Sequence, residues 1–227
     1  MKRTRNAPAR ILVIDVGGSH VKCVATGHET PVRFDSGPKM TPDVLIQTLM
    51  PLLEGWRYDA ASIGFPGVVR GGKIEREPQN LGAGWIDFDF KTALGCPVKI
   101  LNDAAMQALG NYEGGSMLFL GLGTGLGTAL IVDHTIIPME LAHLPYRGRH
   151  TFEELLGDAA RKRRGRKKWS AHVDAVVKDL RDVFLPDEIV LGGGNATKLK
   201  TLPLHTRFGD NTNAFKGGFR LWEERPA

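Results

Sequence analysis

With 227 residues, 42% hydrophobic and 24% charged, the chain has the make-up of an ordinary globular protein, long enough for one large domain or two small ones. No apolar run approaches the ~18 residues of a membrane span, and two distant cysteines, Cys23 and Cys96, argue against a disulfide framework and a cysteine-based zinc site. A net charge of +5 with a pI near 9.3 favours polyanionic partners: nucleic acid, a nucleotide or a phosphate polymer.

The basic start, MKRTRNAPAR, leads into a short apolar strand that is too brief for a signal-peptide core, so a cytoplasmic location is expected. Ile11 to Ala25, ILVIDVGGSHVKCVA, predicts two strands joined by a turn at Gly17-Gly18-Ser19. A polar loop with Pro31 and Pro38 follows. Thr41-Pro42-Asp43 then starts a helix, with a Thr N-cap and Pro at the first position. Val44, Leu45, Thr48 and Leu49 give that helix one apolar face, and Pro51 should kink or stop it. Ala60 to Phe65 reads as a small buried strand ending in the fixed turn Phe65-Pro66-Gly67, where backbone groups can face a ligand.

Residues 68 to 96 read as loop and short strand pieces, with Asn80-Leu81-Gly82-Ala83-Gly84-Trp85 as a substrate-side loop. Pro97 to Leu101 is a strand with Asn102-Asp103 at its end, and a helix from Ala104 to Tyr112 stops at Gly114-Gly115. A polar pair at the carboxyl end of a strand is where open α/β sheets put their ligands. An N-cap role alone would account for Asp103; if its carboxylate also faces a ligand, it suits a general base that takes the proton of an attacking hydroxyl.

Met117 to Val132, MLFLGLGTGLGTALIV, repeats the layout of the first strand pair. Aligning Asp15 with Gly121 sets Gly17 against Gly123 and Gly18-Ser19 against Thr124-Gly125, a constant offset of 106 positions. Glycines at such turns let backbone N–H groups approach an anion closely. Either copy alone could be an ordinary hairpin; the pair predicts two related halves with a phosphate held between them. The third glycine of a dinucleotide fingerprint is missing from Gly121-Leu-Gly123-Thr124-Gly125-Leu-Gly127, and no P-loop occurs anywhere.

Further on, Glu140-Leu-Ala-His143 places a carboxylate and an imidazole three apart, with His134 and His150 in loops. This is a poor metal site but a good pair of sugar ligands, since Glu accepts two hydroxyl protons and neutral His both donates and accepts. A surface pair with no task fits the spacing as well. Arg161 to Lys168, RKRRGRKK, is either a solvated face or an electrostatic track for a polyanion; no nucleic-acid-binding signature surrounds it. Val173, Val176, Val177, Leu180, Val183 and Phe184 form the core face of a helix. Glu188 to Leu191 is a strand ended by Gly192-Gly193-Gly194-Asn195, and a closing helix capped by Asn211 or Thr212 and weakened by Gly217-Gly218 ends the chain.

Asp15-Val-Gly17-Gly18-Ser19-x-x-Lys22, Gly64-x-Pro66-Gly67, Asn80, Asn102-Asp103-Ala104, Gly121-x-Gly123-Thr124-Gly125-x-Gly127, Glu140-x-x-His143 and Gly192-Gly193-Gly194 stand in the order seen in ROK-family sugar kinases. The chain resembles that family along nearly its whole length. Its polyphosphate glucokinase branch is the most similar, on Glu140 to Pro145, Phe152 to Gly157 and Lys167-Lys168-Trp169. The resemblance implies the α/β fold of the actin/hexokinase-like superfamily, with two ribonuclease-H-like lobes around a central cleft. The lobes would be residues 1–103 and 104–227, with the C-terminal helix free to pack back on the first.

It implies a hexose kinase acting on the 6-hydroxyl of glucose from polyphosphate, ATP or both. Asp103 would be the base, and Asn102, Glu140, His143, Glu153, Pro66, Gly67 and Asn80 would hold the sugar. Asp15, Gly17, Gly18, Ser19, Lys22, Gly123, Thr124, Gly125, Gly192, Gly193 and Gly194 would take the donor, Asp15 through Mg²⁺. Arg163, Arg164, Lys167 and Lys168 would form the polyphosphate track. No zinc, nucleic acid or membrane is expected, and the resemblance suggests a homodimer. Ala142 replaces the glycine of the usual Glu-x-Gly-His, Ser19 the commoner Thr, and the cysteine run of zinc-bearing members is absent. The alternatives are a non-catalytic sugar-binding regulator, or a kinase for mannose, an amino sugar or gluconate.

Overall fold

The structure, a computed structural model, describes residues 10–210 and 212–223. The basic segment before Arg10 and the Asn211 cap lie outside these residues. The chain divides into two compact units, Met1–Met106 with Ala214–Ala227, and Gln107–Asn213.

The first unit opens with β1 (Ile11–Val16) and β2 (His20–Ala25), the predicted pair, and continues into β3 (Val32–Asp35). That third strand occupies the stretch read as a polar loop. It is short, only half-buried along Val32 and Phe34, and gives a weak period-2 signal. The helix α1 (Pro42–Leu52) starts at the Thr41 cap, whose hydroxyl accepts from Val44 N–H at 3.3 Å, and it ends one residue past Pro51. Leu45 and Leu49 carry its packing; Val44, expected on that face, is exposed. β4 (Ala60–Phe65) is buried at every position, as a strand covered on both faces must be. The hairpin β5 (Val69–Arg70) and β6 (Lys73–Ile74) follows, then α2 (Phe90–Leu94), a one-turn helix that the sequence reading missed because five residues carry no periodicity. β7 (Val98–Asn102) and α3 (Asp103–Asn111) complete the run.

The first sheet has the order β3-β2-β1-β4-β7, with β4 parallel to both β1 and β7. In the second unit β8 (Ser116–Leu122), β9 (Leu126–Val132) and β10 (Thr135–Met139) form a meander. Then come α4 (Phe152–Leu156), α5 (Asp158–Phe184), β11 (Glu188–Gly192) and β12 (Thr206–Phe208). Their sheet order, β10-β9-β8-β11-β12, repeats that of the first. Val16 and Leu122 end the corresponding strands, and His20 and Leu126 begin the next ones, each pair 106 positions apart. The duplication read from two glycine turns therefore extends through each whole sheet.

The helix α5 includes the basic run, and it breaks at Gly165, where φ is 76° and ψ 156°. Val173, Val176, Val177 and Leu180 are buried as expected, but Val183 is 71% exposed. At about 100° per residue it stands about 70° off the centre of these four buried residues, in the last turn. The closing helix α6 (Asn213–Arg220) uses its two glycines for close packing. Gly217 and Gly218 are buried, and a Cβ on Gly218 would lie 2.8 Å from Val13 Cγ2. Ser62, fully buried, donates to Gly218 O at 2.6 Å and accepts from Trp222 Nε1 at 2.9 Å. Cys23 and Cys96 are free and buried. Among the described residues no helix is long and apolar enough to cross a membrane.

Candidate active site

In the first unit, register brings three functional segments to one edge of the sheet. Asp15 stands beside Gly64 across β1 and β4, and Phe65 beside Asn102 across β4 and β7. The carboxyl ends of three parallel strands thus deliver Asp15, Pro66-Gly67 and Asn102-Asp103 side by side. A Cβ on Gly64 would force the Met106 Cε methyl to move and would lie 3.3 Å from Met106 Sδ and 3.5 Å from Asp15 Oδ1, so the position is closely packed.

Asp15 is half-buried. Burial pushes its carboxyl above the usual range, and Lys22, directly opposite on β2, pulls it back. The turn after it is fixed by Gly17 N–H donating to His20 O at 2.9 Å within the turn and by Ser36 Oγ donating to Gly17 O at 2.5 Å from outside it. Asn80 lies against this turn, its Cβ 3.2 Å from where a Cβ on Gly18 would sit.

The capping of α3 falls to Asn102, not Asp103. Asn102 Oδ1 accepts from Ala104 N–H at 2.9 Å and Ala105 N–H at 3.2 Å, and Nδ2 donates to Gly67 O at 3.0 Å. One side chain therefore ties the Pro66-Gly67 turn to the helix start and keeps one amide hydrogen for a ligand. Asp103 is the first helical residue and half-buried, with Oδ1 accepting from Ala104 N–H at 2.8 Å. A helix N-terminus favours a negative group at that place.

In the second unit, Gly123 N–H donates to Gly125 O at 3.1 Å. The first N–H of α5, from Asp158, donates to Gly123 O at 3.1 Å and Thr124 O at 3.2 Å. Asn195 closes the other side, its N–H on Leu122 O at 2.8 Å and its Nδ2 on Gly123 O at 2.9 Å. Gly192 and Gly193 have no room for a side chain. A Cβ on Gly192 would lie 2.7 Å from Phe119 Cε2, and one on Gly193 would lie 2.6 Å from Leu122 C. Gly194 alone of the three faces open space.

Glu140 and His143 are exposed on a turn closed by Leu144 N–H on Leu141 O at 3.0 Å. Thr128 anchors this turn from β9, its hydroxyl donating to Met139 O at 3.0 Å. Glu153 joins the turn to the glycine loop: its N–H donates to Ala142 O at 2.9 Å, and its Oε2 accepts from Leu126 N–H at 3.4 Å beside Gly125.

Of the basic run, Arg161 and Lys162 are paired with Asp158 at 2.7 Å each, which holds the Asp158 carboxyl down to about 2. Among the described residues Arg163, Arg164, Lys167 and Lys168 form no ion pair, and the Arg164 Nε is buried without an acceptor. Asp158 and Thr128 carry no signal in the sequence, and Asn195 shows there only as a strand end, because each acts on backbone groups eleven or more positions away. Asp158 follows Gly157, which makes no side-chain capping bond, whereas α4 carries the Thr151-x-x-Glu154 box.

The sequence profile described as the ROK family matches residues 11–138. A polyphosphate glucokinase of Mycobacterium tuberculosis (strain H37Rv) is 29% identical over 214 residues, covering 84% of this chain and 80% of the relative. Among solved structures, an inorganic polyphosphate/ATP-glucomannokinase from Arthrobacter sp. strain KM is 25% identical, covers 94% of this chain and 97% of its own, and superposes with a TM-score of 0.77. A Streptomyces griseus glucokinase, solved with glucose and AMPPNP, shares the fold at 14% identity and a TM-score of 0.76, over 94% of this chain and 99% of its own.

Proposed function

Because the chain belongs to the ROK family, we propose that it is a hexose kinase that phosphorylates the 6-hydroxyl of glucose, with polyphosphate, ATP or both as donor. The observation that carries this is the alignment of Asp15, Pro66-Gly67 and Asn102-Asp103 at the carboxyl ends of β1, β4 and β7. The names of the relatives supply the substrate classes.

Asp103 accepts the hydroxyl proton as the sugar oxygen bonds to the terminal phosphorus. The bridging P–O bond breaks, and the donor leaves one phosphate shorter. Asn102 holds a neighbouring hydroxyl with its remaining amide hydrogen, and Pro66, Gly67 and Asn80 line the sugar side. Glu140, His143 and Glu153 take hydroxyls at the anomeric end. The backbone N–H groups of Gly18, Ser19, Thr124 and Gly125 meet donor phosphates, those of Gly17 and Gly123 being bonded within their turns, with Lys22 near the first turn and Gly194 open beside the second. Asp15 fits Mg²⁺, which is held by one or two carboxylates plus substrate phosphates instead of a protein cage. Among the described residues no cluster of three His, Cys, Asp or Glu side chains suits a metal. When bound, the ion neutralises charge developing on the phosphates.

A coupled assay crossing a panel of hexoses with ATP and polyphosphate tests the reading. Glucose is expected to turn over with at least one donor; sugar binding without turnover under any pairing would leave a non-catalytic sugar-binding protein.

Two further outcomes are expected. Neutralising Arg163, Arg164, Lys167 and Lys168 together raises the KM for long polyphosphate more than that for ATP, and the difference shrinks at high salt because exposed charges are screened within about 8–10 Å. Equal losses for both donors would rule out a polymer track. The second concerns pH. If Asp15 must be ionised to work, its raised pKa puts the acid limb of kcat/KM above the ordinary aspartate value of 3.8. Removing the Lys22 charge (Lys22→Met) should move that limb further up. A limb that stays in place would separate Asp15 from activity.

A further inference from the structure

Between the two proposed sugar-binding segments of the second unit runs a small hairpin. Pro145 bridges Thr151, Tyr146 N–H donates to His150 O at 2.8 Å, and Phe152 N–H donates to Leu144 O at 3.3 Å. At one end it continues from the turn bearing Glu140 and His143; at the other it becomes α4 with Glu153. Its own backbone bonds are few and its tip, Arg147 to His150, is exposed. Such a hairpin is marginal by itself.

What secures it comes from α5. Tyr146 Oη donates to Asp179 Oδ2, and Arg147 Nη2 donates to the same oxygen at 3.1 Å. The Tyr146 ring stacks on Phe152 with centroids 4.4 Å apart, and the Arg147 guanidinium lies 5.1 Å from the Tyr146 ring centroid. The tyrosine hydrogen bond holds the Asp179 carboxyl below the usual range, while burial and Asp179 push the Tyr146 phenol up. The pair thus stays a phenol donating to a carboxylate, a charge-assisted bond. The segment of α5 before its break at Gly165 is fixed to the Gly123-Thr124 turn through Asp158, and the segment that carries Asp179 is tied to α4 by Trp169 Nε1 donating to Leu156 O at 2.8 Å.

We infer that Asp179, acting through Tyr146 and Arg147, is a positioning residue for hexose binding: it fixes the hairpin that sets Glu140 and His143 in register with Glu153. This role rests on the hexose kinase reading. None of the three side chains need touch the sugar; the clamp works on the spacing between groups that do, and small misplacements of binding groups are costly.

Tyr146→Phe keeps the ring on Phe152 and removes only the hydroxyl. It should raise the KM and the dissociation constant for glucose by about tenfold, the scale of one charge-assisted hydrogen bond. The donor KM should stay within about twofold, since the glycine turn keeps its Asp158 and Asn195 contacts. Adding Tyr146→Phe to Asp179→Ala should cost little beyond Asp179→Ala alone, because the groups act as a unit. Native-state hydrogen exchange reads the clamp independently of activity: the Tyr146 and Phe152 amides should exchange faster in Tyr146→Phe. Unchanged exchange would overturn the inference, as would faster exchange with glucose and donor KM values moving together. If the unaltered chain binds and phosphorylates no hexose, the kinase reading has failed and the sugar-positioning role falls with it, while the exchange result still decides whether Asp179 holds the hairpin.

Discussion

Asp103→Asn is expected to lower kcat by at least about 10²-fold while the glucose KM changes little. The carboxamide matches the carboxylate in shape and can still accept from Ala104 N–H, the bond that Oδ1 makes at 2.8 Å. The cap of α3 does not depend on this residue, because Asn102 supplies it. Helix position, the Pro66-Gly67 turn and sugar contacts should therefore survive, and only the capacity to take a proton is removed. General base catalysis contributes on the order of 10² to 10⁴ in rate, which sets the size of the loss. Initial rates against glucose at saturating donor give both constants. Near-normal turnover would rule Asp103 out as the base; a large rise in KM with kcat intact would make it a binding residue instead.

Gly193→Ala should be the most damaging of the glycine substitutions in the second unit, and Gly194→Ala nearly silent. Gly193 has φ +81°, and a Cβ there would sit 2.6 Å from Leu122 C and 2.7 Å from Leu122 N, both backbone atoms of β8. A left-handed conformation costs a non-glycine residue roughly 1–2 kcal/mol, and forcing atoms into a packed region roughly 1–3 more. Backbone cannot swing aside as a side-chain tip can. A loss on the order of 3 kcal/mol follows, or a melting temperature lower by about 6–12 °C for a chain of this size. The same strain would pull Asn195 off Leu122 O and Gly123 O, so the donor KM should rise together with the loss of stability. Gly194 has open space around its Cβ direction and no left-handed backbone, so alanine there should stay within about 0.5 kcal/mol. Thermal melts of the two variants side by side decide it; equal, small shifts would show that Leu122 gives way.

The two glycine turns and the strand ends were legible in the sequence because both signals are local: apolar runs stopping at Gly, Pro, Asn or Asp. The offset of 106 positions gave the duplication, and the structure extends it to the order of each sheet. β3, β10 and α2 were not legible, being short or edge elements that tertiary pairing stabilises more than their own residues do. The Gly192-Gly193-Gly194 run shows a further limit. Glycine marks close approach without saying to what, and at two of the three positions the partner is Phe119 or Leu122 of the same unit. Asn102 likewise showed its residue type but not its capping bonds, which require the helix start and the Pro66-Gly67 turn to be in place. The clamp from Asp179 to Tyr146 crosses more than thirty positions and leaves no pattern in the chain.

The most direct measurement of the central claim is the identity of the product. With glucose and either polyphosphate or ATP, phosphorus and carbon NMR of the reaction should show one new phosphomonoester at carbon 6, formed by the unaltered chain and at least about 10²-fold more slowly by Asp103→Asn. No phosphorylated hexose with either donor, or a phosphate on another carbon, would contradict it.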